Sequence, residues 1–518
     1  MTSPGDAGGN NVDGEQRPEL TAWRERRDRT LDHERRQARE KRHARGYRTA
    51  RENLEDLVDA GSFQEYGQLA VAAQRNRRDY EDLQTATAAD GIITGTCTIN
   101  AHDVGAARAR AAVIVNDYSV LAGTQGFFHH GKLDRMCELA GEWSLPVVMY
   151  TEGGGGRPGD TDVATQIAGL DTRSFVSWAG LSGHVPRIAV NNGFCFAGNA
   201  ALFGCADFTI ATRTSWIGMA GPAMIEGGGL GRFEPTEIGP IDVQEKNGVV
   251  DIVADDEAHA TALARQLLAY FQGPASVWSA APQEGLRDIV PADRRWGYPV
   301  RRVIETLADE GSFLELQRVY GRAVITGFIR LEGRPLALVA SDCQQMGGAV
   351  DAEAAEKAAR FLQICDAHGL PVLSLTDTPG FMVGPDSEKQ AAVRRMSSLF
   401  IAGAKLRVPV VAIFLRKGYG LGAMAMTAGS FARPVFAAAW PTGEFGGMGL
   451  EGAVRLGFSK ELEAEQDPAA REALFERLVA HLYEAGRATE AAAFLEIDAV
   501  IDPAETRAVV LRALAAAG

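Results

Sequence analysis

A chain that carries the same ordered set of segments twice has few folds open to it, and this chain does so. AGSFQEY (Ala60–Tyr66) returns as EGSFLEL (Glu310–Leu316), and DGIITG (Asp90–Gly95) returns as RAVITG (Arg322–Gly327). SLPVVMYTEGGGG (Ser144–Gly156) returns as GLPVLSLTDTPGF (Gly369–Phe381), with Pro146 and Pro371 lying 225 positions apart. VPRIAVNNGFCFAGN (Val185–Asn199) returns as VPVVAIFLRKGYGLGAM (Val408–Met424), and Gly193-Phe194 and Gly418-Tyr419 keep the same 225 spacing. Four matched segments in matched order make the chain two copies of one fold. In each copy a helical stretch (Lys132–Gly141; Ala354–His368) precedes a short apolar strand (Pro146–Tyr150; Pro371–Leu375). A glycine-rich loop follows, then another helix and another apolar strand (Arg187–Val190; Val410–Leu415). Short, continuously apolar strands alternating with helices predict buried, largely parallel sheets in α/β layers.

The 518 residues suffice for two or three domains at about 150 residues each. We divide the chain into a disordered polar tail (1–18), a charged N-terminal helix (19–58), a first copy (59–285) and a second copy (286–518). Arg24–Arg51 holds twelve Lys/Arg and five Asp/Glu in a chain whose net charge is −14, so this helix is a solvated or docking element, or a basic surface facing an acidic ligand such as a nucleotide. The overall charge excludes a general nucleic-acid binder. No run of 18 apolar residues offers a membrane span. The first residues, MTSPGDAGGNNVDGEQ, lack the basic start and apolar core of a secretory signal. Six cysteines without a CxxC pair suit a reducing cytoplasm rather than a disulfide scaffold or a zinc ribbon.

Glycine is the outlier, with 58 residues, about 11% against a usual share near 7%. After each first strand comes an acid and a turn: Glu152 before Gly153-Gly154-Gly155-Gly156, and Asp377 before Thr378-Pro379-Gly380. After each second strand comes a small-residue turn, Ala197-Gly198 and Gly422-Ala423, running into helical composition. Small residues let backbone approach a ligand, and a helix N-terminus presents unpaired N–H groups with a positive dipole end. Two such turns converging from neighbouring strands supply two donors to one oxygen, which is an oxyanion hole. Glu152 and Asp377 read either as general bases or as caps for the N–H groups that follow.

Other chemistry is thin. The nine histidines show no metal spacing and no HExxH, and there is neither a GxSxG elbow nor a GxxxxGK[ST] phosphate loop. His129-His130 is structural, substrate-lining or mechanistic. The glycine-rich Ile225–Glu234 lacks a preceding strand and reads as a loop rather than a nucleotide fingerprint. Oxyanion holes without an evident base suit an enzyme whose substrate or cofactor moves its own proton. The holes then stabilise enolates, the main service a protein can give to a weakly acidic thioester.

At these residues the sequence resembles the crotonase/ClpP superfamily. More closely it is similar to the carboxyltransferase (β) subunits of biotin-dependent acyl-CoA carboxylases of the propionyl-CoA and methylcrotonyl-CoA type. The resemblance runs from about Ala50 to Arg507 through TARENLEDLVDAGSFQEY, NDYSVLAGTQG, EKAARFLQICDAHGLPVLSLTDTPGF, AAWPTGEFGGMGLEGAV and IDPAETR. It implies a tandem duplication of a crotonase-like ββα-superhelix domain, the first copy on the acyl-CoA side and the second on the biotin side. It implies that Ala197 and Gly198 hold the thioester enolate, and that Gly422 and Ala423 hold the biotin ureido oxygen. Gly154, Gly155 and Gly156, with Pro379 and Gly380, then complete the loops opposite the two holes. Carboxybiotin on a partner protein supplies the carboxyl group, and no metal is bound directly.

A dimer-based homo-oligomer, commonly a hexamer, is expected, with sites between copies. No ATP-binding or biotinyl-lysine segment is visible, so a biotin carboxylase/biotin carrier subunit is the expected partner. The chain departs from the family at EGGGGR, CFAGN and KGYGLGAM, which points to an altered acyl pocket. Met424 and Ala425, behind the second hole, are candidates for setting acyl size. The competing readings are a biotin-independent acyl-CoA decarboxylase or hydratase, and a catalytically silent assembly subunit.

Overall fold

The computed structural model describes residues 17–163 and 170–518. Two sheets of matching order carry the duplication. The first uses β1 (Gln64–Tyr66), β2 (Ile92–Thr98), β3 (Arg110–Asn116), β4 (Val147–Tyr150), β5 (Arg187–Asn191), β7 (Phe208–Thr212) and β9 (Ile252–Ala254), in that spatial order. Between them, β6 (Phe194–Phe196) and β8 (Trp216–Gly218) form a small separate pair. The second runs β10 (Leu314–Leu316), β11 (Val324–Leu331), β12 (Arg334–Ser341), β13 (Val372–Thr378), β14 (Val410–Tyr419), β15 (Phe436–Ala439) and β17 (Ala499–Val500), with β16 (Glu444–Gly446) added alongside β14.

Each sheet opens with three antiparallel strands and is parallel beyond them. The expectation of largely parallel sheets is corrected to this extent. β2 and β11 are joined to β3 and β12 by short connections, too short for the crossover that a parallel pair requires.

The repeat extends to individual hydrogen bonds. Gln125 N–H donates to Gly155 O (2.8 Å) and Arg157 N–H to Gln125 O (2.8 Å). At the 225 spacing, Val350 N–H donates to Gly380 O (3.0 Å) and Met382 N–H to Val350 O (2.9 Å). The buried ammonium groups of Lys132 and Lys357 repeat too, Lys132 donating to Ala89 O and Ile92 O, and Lys357 to Gln317 O and Tyr320 O. The halves share a core in which Phe208 and Phe271 of the first meet Phe328 of the second edge-on, Phe328 being fully buried.

The charged N-terminal segment is not one helix. It forms helices Pro18–Asp28, Arg36–His43 and Ala50–Leu57. Gly46, at φ +78°, ends the second, and a capping box between Thr49 and Glu52 starts the third. The segment folds back because its arginines have fixed partners: Arg35 pairs with Asp117, Arg42 with Glu152 and Arg51 with Glu65. Residues 1–16 of the expected tail lie outside the described residues, and Pro18 already opens a helix. Among the described residues no helix is long and apolar enough to cross a membrane.

Candidate active site

The first glycine run lies against the small-residue turn, as the repeat predicts. Gly155 adopts φ +88°, and a Cβ there would stand 2.7 Å from the Ala197 Cβ and 3.7 Å from the Gly198 nitrogen, so only glycine allows this approach. Asn199 clamps the two loops. It is fully buried, its Oδ1 accepts from Gly155 N–H at 3.0 Å, and its Nδ2 reaches Gly123 O at 3.5 Å. Gly154 N–H donates to Ala122 O (3.1 Å).

The open donors here differ by one residue from those expected. Ala197 is a non-glycine residue held at φ 51°, ψ −119°, a strained conformation, and its N–H turns inward to Gly218 O (3.1 Å). Gly198 is the first residue of the helix Gly198–Gly204, and its N–H meets no acceptor among the described residues. Gly156, exposed and next in sequence to Gly155, pairs as a bridge with Gln125 whose bonds run through Gly155 O and Arg157 N–H, leaving its own N–H unused. Gly198 and Gly156, one from each loop, thus keep unused N–H groups, whereas that of Ala197 is taken up within the fold.

In the second copy the correspondence slips by two residues. Val147 of β4 faces Arg187, whereas Val372 of β13 faces Val410, so the connection to the next strand is two residues shorter. From there on the true spacing is 223. Gly420 at φ +56° answers Ala197 at φ 51°, and Leu421 answers Gly198. The glycine-aromatic match of Gly193-Phe194 with Gly418-Tyr419 is a coincidence of composition. Gly420, Leu421 and Gly422 are the first three residues of the helix Gly420–Met426, the positions whose N–H groups lack intrahelical partners. Gly422 belongs to this set, while Ala423 lies one residue deeper and is fully buried. A Cβ at Gly422 would stand 2.5 Å from the Gly380 carbonyl carbon and 2.8 Å from the Phe381 nitrogen, so Pro379-Gly380 packs directly on this turn.

Met424 lines a cavity of about 620 Å³ beside the turn, together with Phe431, Phe445, Phe494 and Leu495. Ala425 does not: it is fully buried in the core shared by both halves, which removes it as a direct determinant of acyl size.

The two acids cap neither turn. Both Glu152 oxygens accept from the Arg42 guanidinium at 2.8 and 2.9 Å. Burial pushes the Glu152 carboxyl up to about 7 against the pull of Arg42. Asp377 accepts from Lys417 N–H (3.1 Å) and pairs with Arg416 (3.1 Å). His129 is fully buried with Nε2 bonded to Asn116 Oδ1 (2.9 Å), and His130 Nδ1 meets Ser174 Oγ (2.9 Å). Burial lowers both imidazoles, so they are held neutral. His129 is structural, and His130 packs against Phe175, which borders the space in front of Gly198.

Sequence reasoning missed a cavity of about 470 Å³ between the N-terminal helices and the first site. Lys41, Arg42, Arg45, Tyr47, Tyr118 and Phe194 line it, and it reaches Ala122, the residue that holds Gly154. The signal was the +7 excess at Arg24–Arg51, which gave the sign of the ligand but not where it would sit.

Residues 41–518 match the carboxyl transferase domain. The chain is 32% identical over 493 residues to the methylmalonyl-CoA carboxyltransferase 12S subunit of Propionibacterium freudenreichii subsp. shermanii, covering 92% of this chain and 89% of that one. It is also 32% identical over 499 residues to the propionyl-CoA carboxylase beta chain of Saccharopolyspora erythraea, covering 92% and 88%. Among solved structures, a single-chain, multi-domain long-chain acyl-CoA carboxylase superposes with a TM-score of 0.91 at 56% identity over 96% of this chain. The present chain spans 49% of that protein. The hexameric transcarboxylase 12S, solved with methylmalonyl-CoA, superposes with a TM-score of 0.83 at 30% identity, covering 96% of this chain and 94% of that one.

Proposed function

We propose, from the premise that this chain belongs to the carboxyl transferase domain family, that it moves a carboxyl group from carboxybiotin to the α-carbon of an acyl-CoA. The observations that carry the proposal are the open amides of Gly198 and Gly156 and a basic cavity that reaches Ala122 and Glu152, at the start of the same glycine loop. Lys41 and Arg45 suit the phosphates of CoA, Tyr47 and Tyr118 suit the face of its base, and the amides receive the thioester oxygen. The first copy (59–285) is thus the acyl-CoA side, and residues 286–518 are the biotin side. There the cavity beside Gly420–Met426 fits biotin, being apolar at Phe431, Phe445 and Met424 and reaching Gly420, the first residue of the helix whose next amides, Leu421 and Gly422, are the candidates for a ureido oxygen.

Biotin supplies the carboxyl group and the nitrogen that takes the α-proton. The chain's task is to bind, to exclude water and to hold negative oxygen, which agrees with acids and imidazoles engaged elsewhere. The relatives favour this reading over a biotin-independent decarboxylase or hydratase. Assembly as a hexamer is supported by the 12S relative, and a biotin-bearing partner by a relative named as the beta4 subunit of a biotin-dependent long chain acyl-coenzyme A carboxylase. Work in the cytoplasm is supported by six unbonded cysteines.

The test is purified protein with free biotin and a panel of carboxylated CoA thioesters. Decarboxylation that requires biotin is expected, and equal turnover without biotin overturns the proposal. The finer assignment is a long acyl chain. It is supported by the 56% identical long-chain carboxylase and by exposed Met219, Met224, Leu230 and Phe233, which follow β8 beside the first turn. At about 0.8 kcal/mol per buried methylene, palmitoyl-CoA should exceed propionyl-CoA by at least about a hundredfold in kcat/KM. Preference for propionyl-CoA refutes the long chain. Replacing both Lys41 and Arg45 with alanine should raise KM for the CoA thioester about tenfold at unchanged kcat. The difference should shrink as salt is added.

A further inference from the structure

Arg157, the residue that follows the glycine run, stands at the head of a chain of peptide groups that finishes on an open amide. Its side chain is 3% exposed, and its Nη2 donates to Thr124 O at 2.8 Å. The same peptide group carries Gln125 N–H, which donates to Gly155 O at 2.8 Å. The peptide group of that oxygen carries Gly156 N–H, which the fold leaves unused. A trans peptide is planar, so its N–H points away from its C=O. Holding Gly155 O on Gln125 therefore aims Gly156 N–H, and holding Thr124 O on Arg157 aims Gln125 N–H. Hydrogen bonds in such a chain polarise one another, and here the first donor is a cation.

Two carboxylates hold the guanidinium: Asp90 pairs with Nη1, and Asp160 lies 3.5 Å from the same nitrogen. Both also cap the helix Phe127–Trp143, Asp160 accepting from Phe127 N–H (2.9 Å) and Asp90 from His129 N–H (2.7 Å). The second copy caps its helix Ala352–Ala367 with the single residue Asp351, at the position of Gly126, and has Met382 at the position of Arg157. A Cβ on Gly126 would stand 2.2 Å from Arg157 Nη1 and 2.5 Å from Asp160 Oδ2, so the glycine makes room for the ion cluster. Capping alone needs no arginine, and a buried ion cluster is not by itself a source of stability. Of the two positions, only the one in the copy assigned to the thioester has the cation.

We infer that Arg157 is a positioning residue of the first turn, which aims and strengthens the Gly156 N–H donor through the Thr124–Gln125 and Gly155–Gly156 peptide groups. This rests on the reading of Gly156 as a donor to the thioester oxygen of acyl-CoA. Arg157 acts through Gly156 and touches no substrate atom. Its effect grows with the negative charge on the oxygen that Gly156 meets, and is larger for the enolate than for the bound thioester.

Arg157→Met, which installs the residue of the second copy, would alone strand the Asp90 carboxylate. It is therefore made on Asp90→Asn, whose amide oxygen still accepts from His129 N–H. Asp90→Asn by itself, with Arg157 beside Asp160, is the reference. Both are assayed in biotin-dependent decarboxylation of a carboxylated CoA thioester, with melting temperature measured alongside. For Asp90→Asn/Arg157→Met the expected kcat is about 5- to 20-fold below the reference, a part of what loss of a whole donor costs. KM should stay within about twofold and the melting temperature within a few degrees. A CoA thioether bearing a nitronate, charged like the enolate, should lose about fivefold in affinity between the same two variants, while a neutral acyl thioether keeps its own. Asp90→Asn/Arg157→Lys, which restores the cation, should recover part of kcat. A kcat within about twofold of the reference, equal losses for the two thioethers, or a fall in kcat that merely follows a lowered melting temperature overturns the inference. Gly198→Pro run beside these variants separates the two levels. If it is crippled while Asp90→Asn/Arg157→Met is not, the Arg157 assignment alone fails; if Gly198→Pro turns over fully, the first-turn reading fails and this inference with it.

Discussion

Gly198→Pro is expected to lower carboxyl transfer by about 10²- to 10³-fold, the usual cost of one oxyanion donor. Gly198 is the first residue of its helix, where a proline is tolerated because the missing N–H had no intrahelical partner. The substitution removes the open amide and, as alanine would, adds a Cβ 2.3 Å from the present position of Gln125 Oε1. The comparison variant is Gly198→Ala, which keeps the N–H but adds a Cβ 3.2 Å from the Phe175 ring and against the Gln125 carboxamide. It should be impaired chiefly in KM, through crowding of the thioester. Steady-state assays with a carboxylated CoA thioester, plus a melting temperature within a few degrees of the parent, distinguish a lost donor from a lost fold. A well-folded Gly198→Pro that retains more than half its turnover is incompatible with the first-turn assignment.

Arg42→Ala is expected to cost about 3–5 kcal/mol of stability, because it strands the Glu152 carboxylate in a site from which water is excluded. The double variant Arg42→Met/Glu152→Gln should recover most of that loss, since no charge is then left buried and unpaired. The loss depends on pH with a definite sign. In the parent, burial holds the Glu152 carboxyl near 7, above its ordinary 4.5, so the folded chain binds the extra proton. Stability from this group is complete below 4.5, falls as pH rises, and levels off once pH passes about 7. Without Arg42 the folded carboxyl is raised further, so the fall continues above pH 7, and the gap between parent and Arg42→Ala widens toward pH 8. Denaturant melts across that range check this, and a gap that stays constant counts against a buried, paired Glu152. KM for the CoA thioester should rise in the same variant, because Arg42 also lines the basic cavity.

Much of the architecture was legible beforehand because it is written in short-range patterns. Apolar runs such as Val147–Tyr150 and Val372–Leu375 became parallel strands at the 225 spacing, and the glycine run after β4 met the Ala197-Gly198 turn as expected. The antiparallel opening of each sheet was not read, since a period-two or apolar strand looks the same whichever way its neighbour runs. The N-terminal helices were merged into one because helix propensity sees the good formers from Arg24 to Arg51, whereas the bends come from Gly46 and from arginines tied to Asp117 and Glu152. Ala425 was misjudged for a similar reason: a helix position alone does not say which face meets the core.

By itself, the order of residues determined that this chain is a duplicated α/β protein, that its glycine loops follow the strand ends, and that it is kin to the carboxyltransferases. Those properties rest on patterns a few residues long, compared between two copies. Only the tertiary structure decided which amides are left open. Whether an N–H is free depends on a carbonyl elsewhere in the chain: Gly218 O takes Ala197, Ala122 O takes Gly154, and the Asn199 side chain takes Gly155. The slip from 225 to 223, which moves the second turn onto Leu421 and Gly422, is likewise set by strand pairing across a connection whose length no local motif reveals.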